Sequence, residues 1–566
     1  MIQRVRWQWW VMAWLPLAAS CGSDEPTVEG GGDQDVAAPD SGGEGSDGRS
    51  AEDGDDADDG STSASPFECR PDGIAAPYPA GSPYVGVHAN AQNNDLVACT
   101  SASDYEPAWH ALQGYAIAQP NTFSPDGRTL YVSSSAGPDD GCTIHAVDIA
   151  SGELRWCLSE EGALGGSVTA DADGNLFATI GSGVLSLTAD GEERWRRVWL
   201  FEDGSAGGPT GLHLHPLGHV AVATGTGEIA LLDRSDGSVV ASLSVYDEVG
   251  LPRTERPGLT VDLEPLLPPA VIEDFVDTFG TVDQLLAIFA GVGSQWTDNT
   301  VGIAPDGTLY GIGTGPTAEQ GALVQVRVTG SAGAPVLEPG WIAVFNNSSA
   351  SSPSISPDGR FVKITDGNST GGLLAPSTVD ARALIFDIEA CDANTDVETS
   401  AERCGPVFEL PLLSGPALGA APILDDGEHY LWEVQFADLF NTTVPDLIRY
   451  NGTTEVWRLD LPDDAVWSSV LTVTNNHIIG TMTRFTASGE NLLTIALPAT
   501  ASSELVVVDR ATGAVVTRQP TTDDSTSTVT IGPDGSLYVT QLGLLTGFAI
   551  DTRITGGVMR FSPVGE

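Results

Sequence analysis

The chain is almost without lysine. Lys363 is the single one in 566 residues, and lysine and arginine together number 24 against 77 aspartates and glutamates. A formal net charge of −53 repels phosphate backbones, which excludes nucleic acid as a partner. Charged residues make up only 18% beside 41% hydrophobic ones, too apolar a balance for a chain disordered throughout. The apolar stretch 7–17 is interrupted by Gln8 and Pro16 and is too short to span a bilayer. The sequence has no Cys-x-x-Cys, no adjacent cysteine pair, no Cys/His cluster and no Gly-x-Ser-x-Gly elbow. Those absences speak against a zinc ribbon, a c-type haem attachment and a serine hydrolase of the elbow type.

What the N-terminus does have is an address. Arg4 and Arg6 precede the apolar stretch, which ends Leu17-Ala18-Ala19-Ser20-Cys21. Small residues followed by cysteine resemble the lipobox of bacterial lipoproteins, although Ala18 stands where leucine is commoner. The resemblance implies a signal peptide over 1–20 and a diacylglycerol-modified Cys21; an ordinary secretory signal is the alternative. Two or three acyl chains anchor stably where one does not. Gly22 in place of aspartate implies the outer membrane, with the protein periplasmic or surface-exposed.

Residues 21–66 read as an acidic, disordered linker. From 22 to 66 there are 14 acidic residues, one base (Arg49) and no aromatic, so the segment buries too little apolar area to offset ordering. Self-repulsion extends it as a spacer. From residue 67 onward 63 acidic and 21 basic residues remain, so the folded part is itself near −42.

The folded part repeats. Phe123-Ser-Pro-Asp-Gly-Arg-Thr-Leu-Tyr131 returns around Asp171–Gly174, Asp306-Gly307, Asp358-Gly359 and Asp534-Gly535, with weaker copies near Gly218, Gly427 and Asn475. Asp-Gly between apolar runs is hairpin chemistry, because glycine tolerates positive φ. A second hairpin follows each, as in Asp148-Ile-Ala-Ser-Gly-Glu-Leu-Arg-Trp156. Two hairpins per unit of about 45 residues give four antiparallel strands, a propeller blade. Eight such units predict an all-β, eight-bladed β-propeller over 103–564, with seven blades as the alternative count. The last unit ends on its third strand, around Gly557–Ser562. Glu106-Pro-Ala-Trp109 is similar to Glu338-Pro-Gly-Trp341, so an N-terminal strand is expected to complete that blade and remove an open edge. Residues 67–102 form a lead-in, and 244–299 an insertion whose spacing of Val271, Ile272, Phe275, Val276 and Phe279 predicts helix.

The phrase Asp-x-x-x-Gly-x-x-x-Trp resembles the PQQ-type propeller repeat of quinoprotein alcohol dehydrogenases and of propeller lipoproteins that assist outer-membrane protein assembly. The resemblance implies the fold more firmly than a function. For the dehydrogenases it also implies an adjacent cysteine pair, a calcium carboxylate and a base, and the first is missing. No cofactor is therefore expected, with PQQ and calcium the two to test.

Six cysteines besides Cys21 suit an oxidising compartment. Cys142 and Cys157 flank a hairpin symmetrically and are expected to bond. Cys391–Cys404 would close a short loop, and Cys69–Cys99 would pin the lead-in. Among metal candidates, His213 and His215 share one face of a strand with His219 nearby. Asp392, Asn394 and Asp396 imitate the start of a calcium loop but lack its glycine. Thr122, Ser167, Thr210, Thr300, Ser352, Ala417, Ser468 and Ser527 begin the innermost strands and should line the axis; Asp298 and Asn299 are the acidic or amide groups nearest it. No residue qualifies as catalytic. The resulting expectation is a lipid-anchored envelope propeller that binds or assembles envelope proteins or peptides without catalysis. A degenerate quinoprotein or lactonase-type enzyme, or a glycan- or metabolite-binding lipoprotein, is the alternative.

Overall fold

A computed structural model of the chain describes residues 68–69, 77–134, 141–160, 168–253, 296–317, 320–346, 349–366, 382–394, 404–411, 423–432, 446–486, 499–541 and 556–564, apart from positions 80, 203, 298, 350, 425–426, 463–464 and 526. The signal segment, Cys21, the linker, the helical pattern 271–279, Ser167, Asp298, Asp396 and Ala417 lie outside the described residues.

The strands form eight successive antiparallel sheets, an eight-bladed β-propeller. Blades 1 to 7 span 122–158, 169–198, 209–244, 302–345, 354–411, 423–459 and 465–521. Blade 8 takes Thr530–Ile531, Leu537–Gln541 and Gly557–Pro563 from the C-terminal end and Tyr105–Ala111 from the N-terminal end. In that last pairing Tyr105 faces Pro563 and Ala111 faces Val558, so the ring closes with the strand the sequence offered.

Most blades begin at the axis with a short strand, often only two residues, and turn on the Asp-Gly phrase, whereas blade 3 turns at Leu217-Gly218 and blade 7 at Asn475-Asn476. The carboxylates hold those turns: Asp126 accepts from the Arg128 amide at 3.1 Å, Asp358 from Arg360 at 3.0 Å and Asp534 from Ser536 at 3.0 Å. They are turn formers rather than ligands.

The core lies between blades. Inner strands such as Leu176–Ile180 and Gly183–Leu187 are buried along their whole length, while outer strands alternate. Tryptophans of four outer strands bolt their blades to the next. Trp109 donates to Ile149 O, Trp156 to Ala189 O, Trp195 to Arg234 O and Trp457 to Arg510 O, all at 2.9–3.0 Å. Each accepting carbonyl sits in the following blade's second hairpin, which explains why the repeat ends on tryptophan.

Among the described residues the helical element is Ile388–Ala393, capped by Asp387, in the insertion of blade 5. Disulfides join Cys142 to Cys157 and Cys391 to Cys404, with Cα separations of 5.7 and 4.7 Å. Cys99 is disulfide-bonded too, and the residue facing it across the Glu68–Cys69 and Cys99–Thr100 ladder is Cys69.

Candidate functional site at the propeller axis

The innermost strand of a blade has one edge paired within the blade and one edge facing the axis. Those axial edges carry backbone donors and acceptors that need partners. The lead-in supplies many of them. Ile303 N donates to Ala91 O at 2.7 Å and Ile355 N to Gln92 O at 2.8 Å. Val473 N donates to Asp95 O at 2.9 Å, while Val97 N returns a bond to Val473 O at 2.8 Å. Ala172 N donates to Pro77 O and Asn475 N to Cys99 O. Residues 77–99 thus reach blades 2, 4, 5 and 7, and blade 3 through Tyr78, whose hydroxyl receives the Leu214 amide at 2.8 Å. The lead-in is a plug in the axis, a role its sequence did not announce.

Four non-glycine residues of the plug, His88, Ala89, Asn93 and Asp95, hold φ between 53° and 66°. Such a concentration of left-handed backbone is held in place by the surrounding contacts. Asn93 Oδ1 accepts from His213 Nε2 at 2.7 Å, and Asn94 Nδ2 donates to Ile355 O at 2.9 Å.

The most notable cluster is His88, Asp95, Ser352 and Asn299. His88 Nε2 stands 3.0 Å from Ser352 Oγ, and His88 Nδ1 stands 3.3 Å from both oxygens of Asp95. Ser352 and Asp95 are wholly buried, and His88 nearly so. Serine, histidine and carboxylate in this order have the spacing of a nucleophile triad. The hydrogen bonds run the wrong way for one. The Thr300 amide can only donate, and it meets Asn299 Oδ1 at 2.9 Å, which identifies that atom as the carbonyl oxygen. Ser352 Oγ lies 2.5 Å from the same oxygen and therefore donates its proton to it. His88 Nε2 must then carry hydrogen and donate to Ser352, so it does not serve as the serine's base. Burial pushes the Asp95 carboxyl up to about 6, against the opposing pull of His88.

The other sequence candidates disperse. His213 turns to Asn93 and to the Tyr78 hydroxyl at 3.4 Å, and burial pushes it down to about 3. His215 bonds Gly307 O and His219 bonds Ala332 O, both at 2.8 Å in blade 4, so the three histidines do not converge. Asp392 accepts from Gln325 Nε2 at 3.1 Å. Among the described residues no group of three or more His, Cys, Asp or Glu side chains is placed to hold a metal ion. Thr122, Thr210, Thr300, Ser352, Ser468 and Ser527 are all buried. Two buried carboxylates that sequence reasoning passed over, Asp523 and Asp524, lie in the loop leading into blade 8. Asp523 Oδ2 accepts from Gly556 N at 3.3 Å.

Lys363 was another residue without an assigned role. It is fully buried between blades 5 and 6, donating to Tyr430 O at 2.7 Å and facing His429 Nδ1 at 3.2 Å. Burial holds its amine well below the usual lysine range.

These features define an eight-bladed β-propeller whose own lead-in is hydrogen-bonded into five of its blades. No protein-family model matches the sequence, and no curated protein sequence does. A solved structure with the same fold is the quinohemoprotein alcohol dehydrogenase from Comamonas testosteroni. It is 14% identical over 87% of this chain and 82% of that one, with a TM-score of 0.50. A europium-containing methanol dehydrogenase is 14% identical over 85% and 98%, TM-score 0.48. BamB from Moraxella catarrhalis is 12% identical over 82% and 99%, TM-score 0.40. At these identities the likeness is one of fold. The residues do not fit the PQQ set implied by the repeat. The sequence has no adjacent cysteine pair, Cys99, Cys142, Cys157, Cys391 and Cys404 are disulfide-bonded, and the lead-in bonds to the innermost strands of blades 4, 5 and 7.

Among the described residues no helix is long and apolar enough to cross a membrane.

Proposed function

We propose that this chain is a lipid-anchored β-propeller of the cell envelope that binds or assembles envelope proteins or peptides and performs no catalysis itself. The observation that carries the reading is the axis. The position where a propeller would offer a deep ligand pocket is taken by residues 77–99, hydrogen-bonded into five blades. Binding is then left to the outer faces and inter-strand connections, which suit protein and peptide partners. Leu17–Cys21 and the acidic stretch 22–66 support a lipid anchor followed by a spacer.

In-cell crosslinking of the tagged full-length protein, with detergent extraction and mass spectrometry, tests the scaffold reading. A stoichiometric envelope partner, reduced when 254–295 is replaced by a short linker, is the expected result. Monomer alone would overturn it. Metabolic acyl labelling that vanishes in Cys21→Ala tests the anchor.

One observation favours a hydrolytic alternative, the spacing of Ser352, His88 and Asp95. A fluorophosphonate probe that labelled Ser352 in the native protein would establish it, and the inverted hydrogen bonds predict no labelling. Addition of PQQ with calcium, followed by its absorbance and by dye reduction with alcohols, tests the quinoprotein alternative.

A further inference from the structure

The His88–Asp95 pair holds one proton that the hydrogen bonds place between its two members. Nε2 of His88 must be protonated to donate to Ser352, because the Ser352 hydroxyl is committed to Asn299 Oδ1. Nδ1 faces both carboxylate oxygens at 3.3 Å. Two acceptors cannot bond each other, so a single proton lies on Nδ1 or on Asp95. Either way the pair is net neutral. Removing that proton leaves a buried carboxylate beside a neutral imidazole, and adding one leaves an imidazolium beside a carboxylic acid. Each of those states puts an uncompensated charge into a desolvated axis.

The surroundings give such a charge little relief. Among the described residues, the titratable groups facing the pair are Tyr84, on the plug itself and fully buried, and His213 from blade 3, which burial keeps neutral. Blade 4 faces it with Asn299 and Thr300, blade 5 with Ser352 and blade 7 with Val473, none of which titrates. The pair is also one of the side-chain ties of the plug to blade 5, beside Gln92 on Ser356 O and Asn94 on Ile355 O. The left-handed backbone at His88, Ala89, Asn93 and Asp95 is held by these ties together with the bonds of Asn93, Asn94 and the Asp95 carbonyl to the blades.

We propose that the His88–Asp95 pair is a proton-operated latch: with one shared proton it locks residues 84–97 into the axis, and gain or loss of a proton loosens the plug and opens the axis. The device is a conformational one, and it holds whether or not the propeller binds a protein partner.

Hydrogen exchange on the full-length protein tests it, with rates at each pH divided by those of the unfolded chain. Peptides covering 84–97 are compared with the buried strands 219–233 of blade 3. The expected result is a plateau of protection for 84–97 with a fall on each side that exceeds any change in blade 3, the excess approaching tenfold per pH unit. In Asp95→Asn, which has no proton to share, the two-sided response disappears. Protection of 84–97 that follows blade 3 at every pH would overturn the latch without any variant. A two-sided response that survived in Asp95→Asn would overturn the assignment to this pair. Should that variant fail to fold, the imidazole nitrogen shifts of His88 in the wild-type protein decide the matter. A protonated Nε2 across the plateau agrees with the latch, and an unprotonated Nε2 contradicts it.

Discussion

The indole of Trp109 lies over Gly152, with ring atoms 3.0–3.2 Å from where a β-carbon on that glycine would stand. Trp109 belongs to the strand that closes blade 8 and Gly152 to a hairpin of blade 1. The contact therefore joins the last blade to the first. Trp156 over Gly191, Trp195 over Gly237 and Trp457 over Gly513 repeat the arrangement around the ring. Glycine is required there twice over, since Gly152 also holds φ at +76°.

Gly152→Ala should therefore cost more than Gly174→Ala. Gly174 has φ +83° but nothing within 4 Å of a β-carbon, so its variant reports the backbone cost alone. The difference between the two is expected at ~1–3 kcal/mol, the usual cost of overpacking. Urea unfolding midpoints measure it, and equal losses would show that the indole is not confined over Gly152.

Lys363 should be inert to amine-reactive reagents in the native protein. Its amine is buried and already donates to Tyr430 O. Reductive dimethylation followed by peptide mass spectrometry should find it unmodified without denaturant and modified with it. Rapid native modification would disprove the burial. Lys363→Met leaves Tyr430 O and His429 Nδ1 without this donor and should destabilise by about 1–3 kcal/mol.

Stability should fall on acidification. His213 and His429 are each pushed down to about 3, first by burial and then by a neighbouring basic group, His88 in one case and Lys363 in the other. Below the ordinary 6.5 the unfolded chain takes up protons that the folded chain refuses, so stability present above 6.5 is lost progressively toward pH 3. Asp95 acts oppositely. Its carboxyl is raised to about 6, so its share of stability grows as pH drops from about 6 to 3.8. Two histidines outweigh one aspartate, and His215 and His477, also lowered, add to them. Unfolding midpoints between pH 7.5 and 4 check this, and a flat profile would contradict it. His213→Gln should reduce the slope.

Asn93→Ala should weaken the plug. The substitution takes the acceptor from His213 Nε2 in a wholly buried site, an expected loss of about 1–3 kcal/mol. Hydrogen exchange should locate the loss in 84–97, and a loss spread evenly over all blades would argue against a plug.

The blades were legible in the sequence because hairpin chemistry is local. Asp-Gly sets a turn, alternation sets a strand, and eight copies leave little freedom in how they stack. Even the union of Tyr105–Ala111 with Gly557–Pro563 could be anticipated, because a unit lacking its fourth strand demands one and Trp109 matched Trp341. The tryptophan in the repeat was visible as a recurrence, but its reach into the next blade was not.

The axis belongs to tertiary structure alone. Residues 77–99 have neither the alternation of a strand nor the spacing of a helix, and their bonds run to partners such as Ser352, Ile355 and His213, 120 or more residues away. Composition could say that small neutral residues begin the inner strands. It could not say that His88 and Asp95 would arrive among them, nor that Asn299 would take the serine's proton. Hydrogen-bond direction depends on which donors meet which acceptors in space. That is why the sequence determined the propeller, whereas only the folded ring decided what its centre does.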